Sequence, residues 1–288
     1  MNFIDKYGIR RIVREALKED QVSRDITTRL IIPRNLKKEA LIVAKESGII
    51  CGMDIARMVF KCVDNKIKFK ALVKDGRGVK KGDVLAKLYG SVSSILSGER
   101  VALNFLGMLS GISTRANQFA RKANPYKVKI LDTRKTIPGL RALEKYAVRI
   151  GGGFNHRFSL ADMVLIKENH LQIAKTKDIK ETISNIRERL PTGVRIEVET
   201  RNLNEFKKVL LAGPDVIMLD NMSPEHIKEA VRLKKNSSIK IKRNLKLEAS
   251  GNIDFKNIVA YCRTGIDFIS LGTLTKDIKS LDVSLDIE

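Results

Sequence analysis

The sequence predicts an α/β chain whose second half is an incomplete (β/α) barrel. Three observations support this. After Pro125, short strand-like runs alternate with helical runs. The strand runs recur at intervals of about 20–35 residues, the size of one βα unit, which implies a parallel sheet. Nearly every strand run ends in polar, reactive residues, as barrel strands do where their ends share one rim. An open doubly wound sheet would gather such residues at a switch point instead. Six strand runs are visible, so the expected barrel is incomplete or smaller than the eight-stranded form.

The first half reads differently. Residues 1–20 place Ile4, Ile9, Ile12, Val13, Ala16 and Leu17 at helical spacing. Residues 38–46 (KEALIVAKE) form a strand pattern, and residues 52–63 a helix with Ile55, Met58, Val59 and Cys62 inward. The alternation in KIKFKALV, with turns at Asp75-Gly76 and Lys81-Gly82-Asp83, predicts small antiparallel strands over 66–88. An apolar-periodic helix follows over 94–109. Ser110-Gly111 is expected to interrupt it before a second helical stretch that ends near Ala123, where Asn124-Pro125 closes this half.

In the second half the strand runs are 128–131, 163–166, 196–198, 216–219, 245–247 and 268–271. The helices between them carry their own punctuation. Ser223-Pro224 supplies an N-cap before a first-turn proline, and Gly213 follows Ala212 as a stop. The strand ends read Asp132-Thr133-Arg134-Lys135, Lys167-Glu168-Asn169-His170, Glu199-Thr200, Asp220-Asn221, Glu248-Ala249-Ser250 and Gly272.

Composition narrows the function classes. With 288 residues, 43% apolar and 31% charged, the chain is ordinary for a globular protein. No stretch approaches the ~18 apolar residues of a membrane span, and charges break the apolar residues of the N-terminus, so no signal peptide is read. The expected location is the cytoplasm. Cys51, Cys62 and Cys262 form no C-x-x-C pair, and His156, His170 and His226 are scattered, so three buried thiols in a reducing compartment are expected rather than a zinc site. The formal charge of +22 allows nucleic-acid binding, a Lys-rich solvated surface, or service to an anionic small substrate. Basic residues are spread along the chain without long runs and there is no Trp, so stacking platforms for bases are scarce.

Three groups of residues carry chemistry. Gly151-Gly152-Gly153 does not follow a strand and precedes no Gly-Lys-Ser/Thr, so it is not a Walker loop; a turn after the helix over 139–149 explains it equally well. Glu199 and Asp220 end successive strands; they could hold magnesium, or be rim charges paired with nearby cations. Arg134, Lys135, His156, Arg157 and Lys167 fall on or just beyond the first two strand ends. Like charges gathered on one rim repel, which makes sense if an anion joins them.

These residues lie in segments that resemble the quinolinate phosphoribosyltransferase family. The signature stretch is LDTRKTIPGLRALEKYAVRIGGGFNHRFSLADMVLIKENH at 131–170. It is joined in order by EDQVSRDITT at 19–28, SGERVALNFLGMLSGISTRA at 97–116, IEVET at 196–200, IMLDNMSPEHI at 217–227, LEASGNI at 247–253 and FISLGTLT at 268–275. The resemblance implies an N-terminal α/β sandwich domain, residues 1–110, before an incomplete, six- to seven-stranded α/β barrel of the TIM-like type, residues 111–288. A return of the last helix or tail to the first domain stays open. It further implies a homodimer or hexamer in which Arg100 is supplied across the interface.

The implied reaction joins quinolinate to phosphoribosyl pyrophosphate, with magnesium, and releases carbon dioxide to give nicotinate mononucleotide for de novo NAD biosynthesis. By resemblance Arg100, Arg134, His156, Arg157 and Lys167 hold quinolinate, with Lys135 shared between substrates. Glu199 and Asp220 sit near the ribose and metal, while Ser250, Gly251, Gly272 and Lys276 surround phosphate. Lys276 stands where many relatives carry His, and Ile150 where they often carry a small or thiol side chain. Two other readings compete: a nicotinate or molybdenum-associated phosphoribosyltransferase of the same architecture, and a basic nucleic-acid-binding protein on this fold. Nicotinate lacks the 2-carboxylate and needs fewer cations, and nucleic-acid binding gives no role to Glu199 and Asp220.

Overall fold

The computed structural model describes residues 8–174, 178–237 and 245–288. Ile4, assigned to the first helix from spacing, lies outside them. Contacts divide the chain into two units: Met1–Asn117 with Thr136–Gly152 and Leu274–Glu288, and Gln118–Lys135 with Gly153–Thr273.

The first unit is built on an antiparallel sheet. Its strands are β1 (Lys37–Ala44), β3 (Lys68–Ala71), β5 (Val84–Ser91) and the C-terminal strand Val283–Ile287, in the order C-terminal strand–β1–β5–β3. A two-stranded ribbon pairs β2 (Gly48–Ile49) with β4 (Gly78–Val79). Alternation explains β1: Ala40, Ile42 and Ala44 are buried while their neighbours are not. Helix Met53–Val63 buries Ile55, Met58 and Val59 as its spacing demands, but Cys62 is only half-buried.

The expected break at Ser110-Gly111 does not occur: one helix runs from Val92 to Ala123. Tertiary packing overrides the local signal. The Ser110 hydroxyl donates to the Cys51 carbonyl (3.2 Å) and accepts from the Cys51 N–H (2.9 Å). A Cβ on Gly111 would lie 2.1 Å from the Lys279 carbonyl oxygen, and one on Gly107 2.8 Å from that of Leu281. Glycine costs a helix ~1 kcal/mol relative to alanine, and here it lets another backbone lie against the helix. The glycine triplet reads the same way. Gly151 caps helix Arg141–Ile150, and a Cβ there would sit 2.3 Å from the Ser113 carbonyl oxygen.

The second unit holds six parallel strands: β6 (Lys129–Leu131), β7 (Val164–Ile166), β8 (Ile196–Thr200), β9 (Val216–Asp220), β10 (Lys246–Ser250) and β11 (Phe268–Ser270). Their order is β6-β11-β10-β9-β8-β7, so the first strand pairs with the last and the gap falls between β6 and β7. On the gap side of β6, Phe154 donates to the Ile130 carbonyl (2.8 Å) and accepts from the Asp132 N–H (3.0 Å), a one-residue parallel bridge. This is the incomplete barrel expected from the six strand runs. Ser223 caps helix Pro224–Asn236 by accepting from the His226 N–H, and Gly213 ends helix Leu203–Ala212 at φ 67°, a backbone that suits glycine. Among the described residues, no helix is long and apolar enough to cross a membrane.

Candidate active site

The strand period sets what faces the barrel interior. In I-E-V-E-T, Glu197 and Glu199 are two apart and share one face. Glu199 lines a cavity of about 590 Å³ at the strand ends, and Glu197 lines a smaller one of about 50 Å³. Met218 and Asp220 on β9 and Ser250 on β10 line the larger cavity by the same logic. The loops after β6 and before β7 add Arg134, Lys135, His156 and Arg157, and Lys167 follows β7.

Both charge signs therefore meet in this cavity. Lys167 Nζ lies 2.7 Å from Glu199 Oε2, and the Glu199 side chain is only 14% exposed. Burial and the neighbouring Glu199 raise the Asp220 carboxyl above its ordinary range, with Asn221, Lys167 and Lys135 opposing. Burial also lowers the Arg157 guanidinium, and Arg134 adds to this by repulsion, while Glu197 and Asp162 oppose it. Cations and carboxylates repel within each set, so each is poised to accept an opposite charge.

His156 is turned inward. Its Nε2 lies 3.0 Å from Glu197 Oε2 and 3.6 Å from Glu248 Oε1, and both glutamates are buried. Its Nδ1 accepts the Arg157 N–H at 2.8 Å, and its own N–H donates to Asp132 Oδ1 at 2.9 Å. Burial, then the charge of Glu197, holds the Glu248 carboxyl well above the usual carboxylate range.

Tight turns shape the cavity around Gly251. Gly251 has φ 89°, and a Cβ there would meet Asn221 Oδ1 at 2.2 Å. Asn221, itself at φ 54°, donates to Asp220 Oδ2 at 2.8 Å and accepts from Asn252 Nδ2 at 3.1 Å. A Cβ on Gly272 would lie 2.9 Å from Lys135 Cδ, so glycine admits the lysine stem.

Arg134, Lys135, His156, Arg157, Lys167, Glu199, Asp220, Ser250 and Gly251 thus line one cavity, and Gly272 adjoins Lys135. Arg100 and Lys276 belong to the first unit. There Lys276 is exposed, and Arg100 lines a cavity of about 610 Å³ beside the helix Ile9–Glu19. Sequence reasoning placed Asn221 and Glu248 at strand ends without giving them a role, and missed Glu197 and Asn252. For the glutamates the signal was available: each lies two residues before a rim residue on the same strand, Glu197 before Glu199 and Glu248 before Ser250.

Comparison with known proteins yields a consistent set. The family model described as the N-terminal domain of quinolinate phosphoribosyl transferase matches residues 25–110, and that of its C-terminal domain residues 112–286. The probable nicotinate-nucleotide pyrophosphorylase [carboxylating] of Bacillus subtilis is 40% identical over 279 residues, covering 97% of this chain and 93% of the relative. That of Methanocaldococcus jannaschii is 42% identical over 281 residues, covering 96% of each. The solved nicotinate-nucleotide pyrophosphorylase of Francisella tularensis superposes with a TM-score of 0.89 at 42% identity, covering 96% of this chain and 95% of that one.

Proposed function

The chain belongs to the quinolinate phosphoribosyltransferase family, and from that premise we infer that it transfers phosphoribosyl from phosphoribosyl pyrophosphate to quinolinate. The reaction proceeds with decarboxylation and gives nicotinate mononucleotide, pyrophosphate and carbon dioxide for NAD biosynthesis. The observation that carries this reading is the meeting of Arg134, Lys135, Arg157 and Lys167 with Glu199 and Asp220 around one cavity at the parallel strand ends.

Quinolinate is a pyridine with two adjacent carboxylates. Arg134 and Arg157 suit bidentate contact with them, and Lys135 and Lys167 act as point charges. In the free protein Lys167 is paired with Glu199. When quinolinate enters, Lys167 exchanges that partner for a substrate carboxylate and leaves Glu199 facing the sugar. His156 borders the same pocket. Arg100 of the partner subunit completes it, the chain working as a homodimer or a higher assembly of dimers in the cytoplasm.

The ring nitrogen then attacks the anomeric carbon and the bond to pyrophosphate breaks. Glu199 and Asp220 offset the positive charge that grows on the ribosyl group, and Lys135 faces the departing anion. Backbone groups at Ser250, Gly251 and Gly272 hold the 5′-phosphate, with Lys276 as a further phosphate contact. The joined ring nitrogen is positive and adjoins the 2-carboxylate. As carbon dioxide leaves, the electron pair stays at C2, where the adjacent positive nitrogen stabilises it, and a proton from water replaces the lost carboxylate; no side-chain nucleophile is needed and Cys51, Cys62 and Cys262 stand apart. Glu199 and Asp220 also fit magnesium: they are hard oxygen donors on neighbouring strand ends, and their mutual repulsion favours a cation. Magnesium held there, directly or through water, would neutralise pyrophosphate charge.

The test is an assay of the purified protein with phosphoribosyl pyrophosphate, magnesium and either quinolinate or nicotinate, with a chelator control. Product and carbon dioxide from quinolinate alone are expected. Product from nicotinate alone would overturn the substrate, and undiminished turnover with chelator would remove the metal.

A further inference from the structure

The reaction leaves two buried glutamates unused. Glu197 and Glu248 are 0% and 1% exposed and line the small inner cavity with His156 and Arg195. Carboxylates taken out of water are costly unless they are bonded. Both lie against His156 Nε2, at 3.0 and 3.6 Å. The other ring nitrogen, Nδ1, accepts the Arg157 N–H at 2.8 Å. A nitrogen that accepts a hydrogen bond carries no proton. Nδ1 is therefore the unprotonated nitrogen and Nε2 the one that carries a proton. Nε2 faces Glu197 Oε2 at 3.0 Å, a close approach of charge rather than a formed hydrogen bond, since both Glu197 oxygens and Glu248 Oε1 are buried without a hydrogen-bond partner. Although His156 borders the substrate cavity, its Nδ1 accepts the Arg157 N–H and its Nε2 faces the two buried carboxylates.

We propose that Glu197, backed by Glu248, is a positioning residue for the quinolinate pocket that acts through His156 on Arg157. The charge of Glu197 Oε2 draws the Nε2–H side of the ring toward it at 3.0 Å; this turns Nδ1 toward the Arg157 N–H; and that bond fixes the backbone from which the guanidinium lines the cavity. Asp132 anchors the same turn through the His156 N–H. The arrangement also resembles a three-ligand metal site, since one atom from each of His156, Glu197 and Glu248 lies within 4.8 Å of the others. Arg195, which lines the same small cavity, already brings a positive charge to the two glutamates and favours the strut over a cation. The proposal rests on the quinolinate reading of the cavity.

Two measurements test it. The chain has only three histidines, so a spectrum of protein labelled with ¹⁵N-histidine is simple, and His156→Gln identifies the ring. At neutral pH the His156 ring should show an unprotonated Nδ1 and a protonated Nε2. An Nδ1–H tautomer or a doubly protonated ring would overturn the strut whatever the protein's substrate is. The second measurement compares Glu197→Gln, which keeps an oxygen acceptor, with Glu197→Leu, which removes it at similar volume. Losing the anchor should raise the quinolinate KM about tenfold, as for misplacement of a substrate-positioning group, with the KM for phosphoribosyl pyrophosphate unchanged, and the Gln variant should restore it. Equal rises in both KM values, or a Gln variant as impaired as the Leu variant, would overturn the proposal. Wild-type protein that fails to use quinolinate, but shows the expected tautomer, would put the fault in the substrate reading instead.

Discussion

Asp220→Asn removes one charge and almost no shape. Asp220 ends β9 and faces the larger cavity. Asn221 Nδ2 donates to its Oδ2 at 2.8 Å, a bond that an amide oxygen accepts as well. Burial and then Glu199 raise its carboxyl above the ordinary value of 3.8. The sign follows from linkage: a carboxyl raised in the folded state favours folding when protonated, and that contribution is lost as pH rises through the folded value. At neutral pH the charged Asp220 therefore works against stability. Relief of a part-exposed like-charge contact is worth less than about 1 kcal/mol. In a chain of this size the variant should melt no more than about 2–4 °C higher. Catalysis moves the other way. A group that offsets transition-state charge is worth about 10²–10³ in kcat, or about 3–4 kcal/mol. The assay is kcat at saturating substrates and magnesium, with quinolinate affinity by calorimetry and Tm in parallel. An unchanged kcat would refute the reasoning. Tenfold weaker quinolinate binding with kcat intact would move Asp220 from the ribosyl side to the quinolinate side.

Three further outcomes are expected. Arg100→Ala and Arg134→Ala should each be nearly inactive, yet mixing the two after dissociation should restore about a quarter of the sites, because a two-fold mixed dimer regains one intact site; no recovery would place Arg100 in its own subunit's site or outside catalysis. Gly111→Ala puts a Cβ 2.1 Å from the Lys279 carbonyl oxygen and should lower unfolding free energy by more than about 2 kcal/mol; an unmoved denaturant midpoint would mean that the tail does not lie on the helix. The hydroxyl and N–H of Thr28 hold the Asp25 carboxyl below its ordinary 3.8, with Ser97 assisting. Its contribution is present above the unfolded value and is lost as pH falls through the folded one, so Asp25→Asn should flatten the loss of stability on acidification below the ordinary carboxylate value of 3.8; an acid limb as steep as wild type would refute the assignment.

Much of the second unit was legible because its signals are local. Short β-branched runs bounded by polar residues mark β6 to β11, and the alternation of Ile196, Val198 and Thr200 with Glu197 and Glu199 is a direct consequence of the strand period. The caps at Ser223 and Gly213 depend on one or two residues each and were read from them. The C-terminal strand Val283–Ile287 was not read, although V-S-L-D-I alternates, because five residues at a chain end acquire meaning only beside β1.

Amino-acid order by itself determined the six-strand rhythm, the family, and the gathering of Arg134, Arg157, Lys167, Glu199 and Asp220 at strand ends, since backbone geometry ties strand ends to one rim. Only the tertiary structure decided that Ser110-Gly111 continues a helix, that His156 points inward, and that Glu197 and Glu248 share its ring. Each of those outcomes depends on a partner distant in the chain. Lys279 lies against Gly111, and Glu197 and Glu248 are brought to His156 by barrel pairing. The energies that decide them, close backbone packing and buried hydrogen bonding, exist only once those distant residues have met.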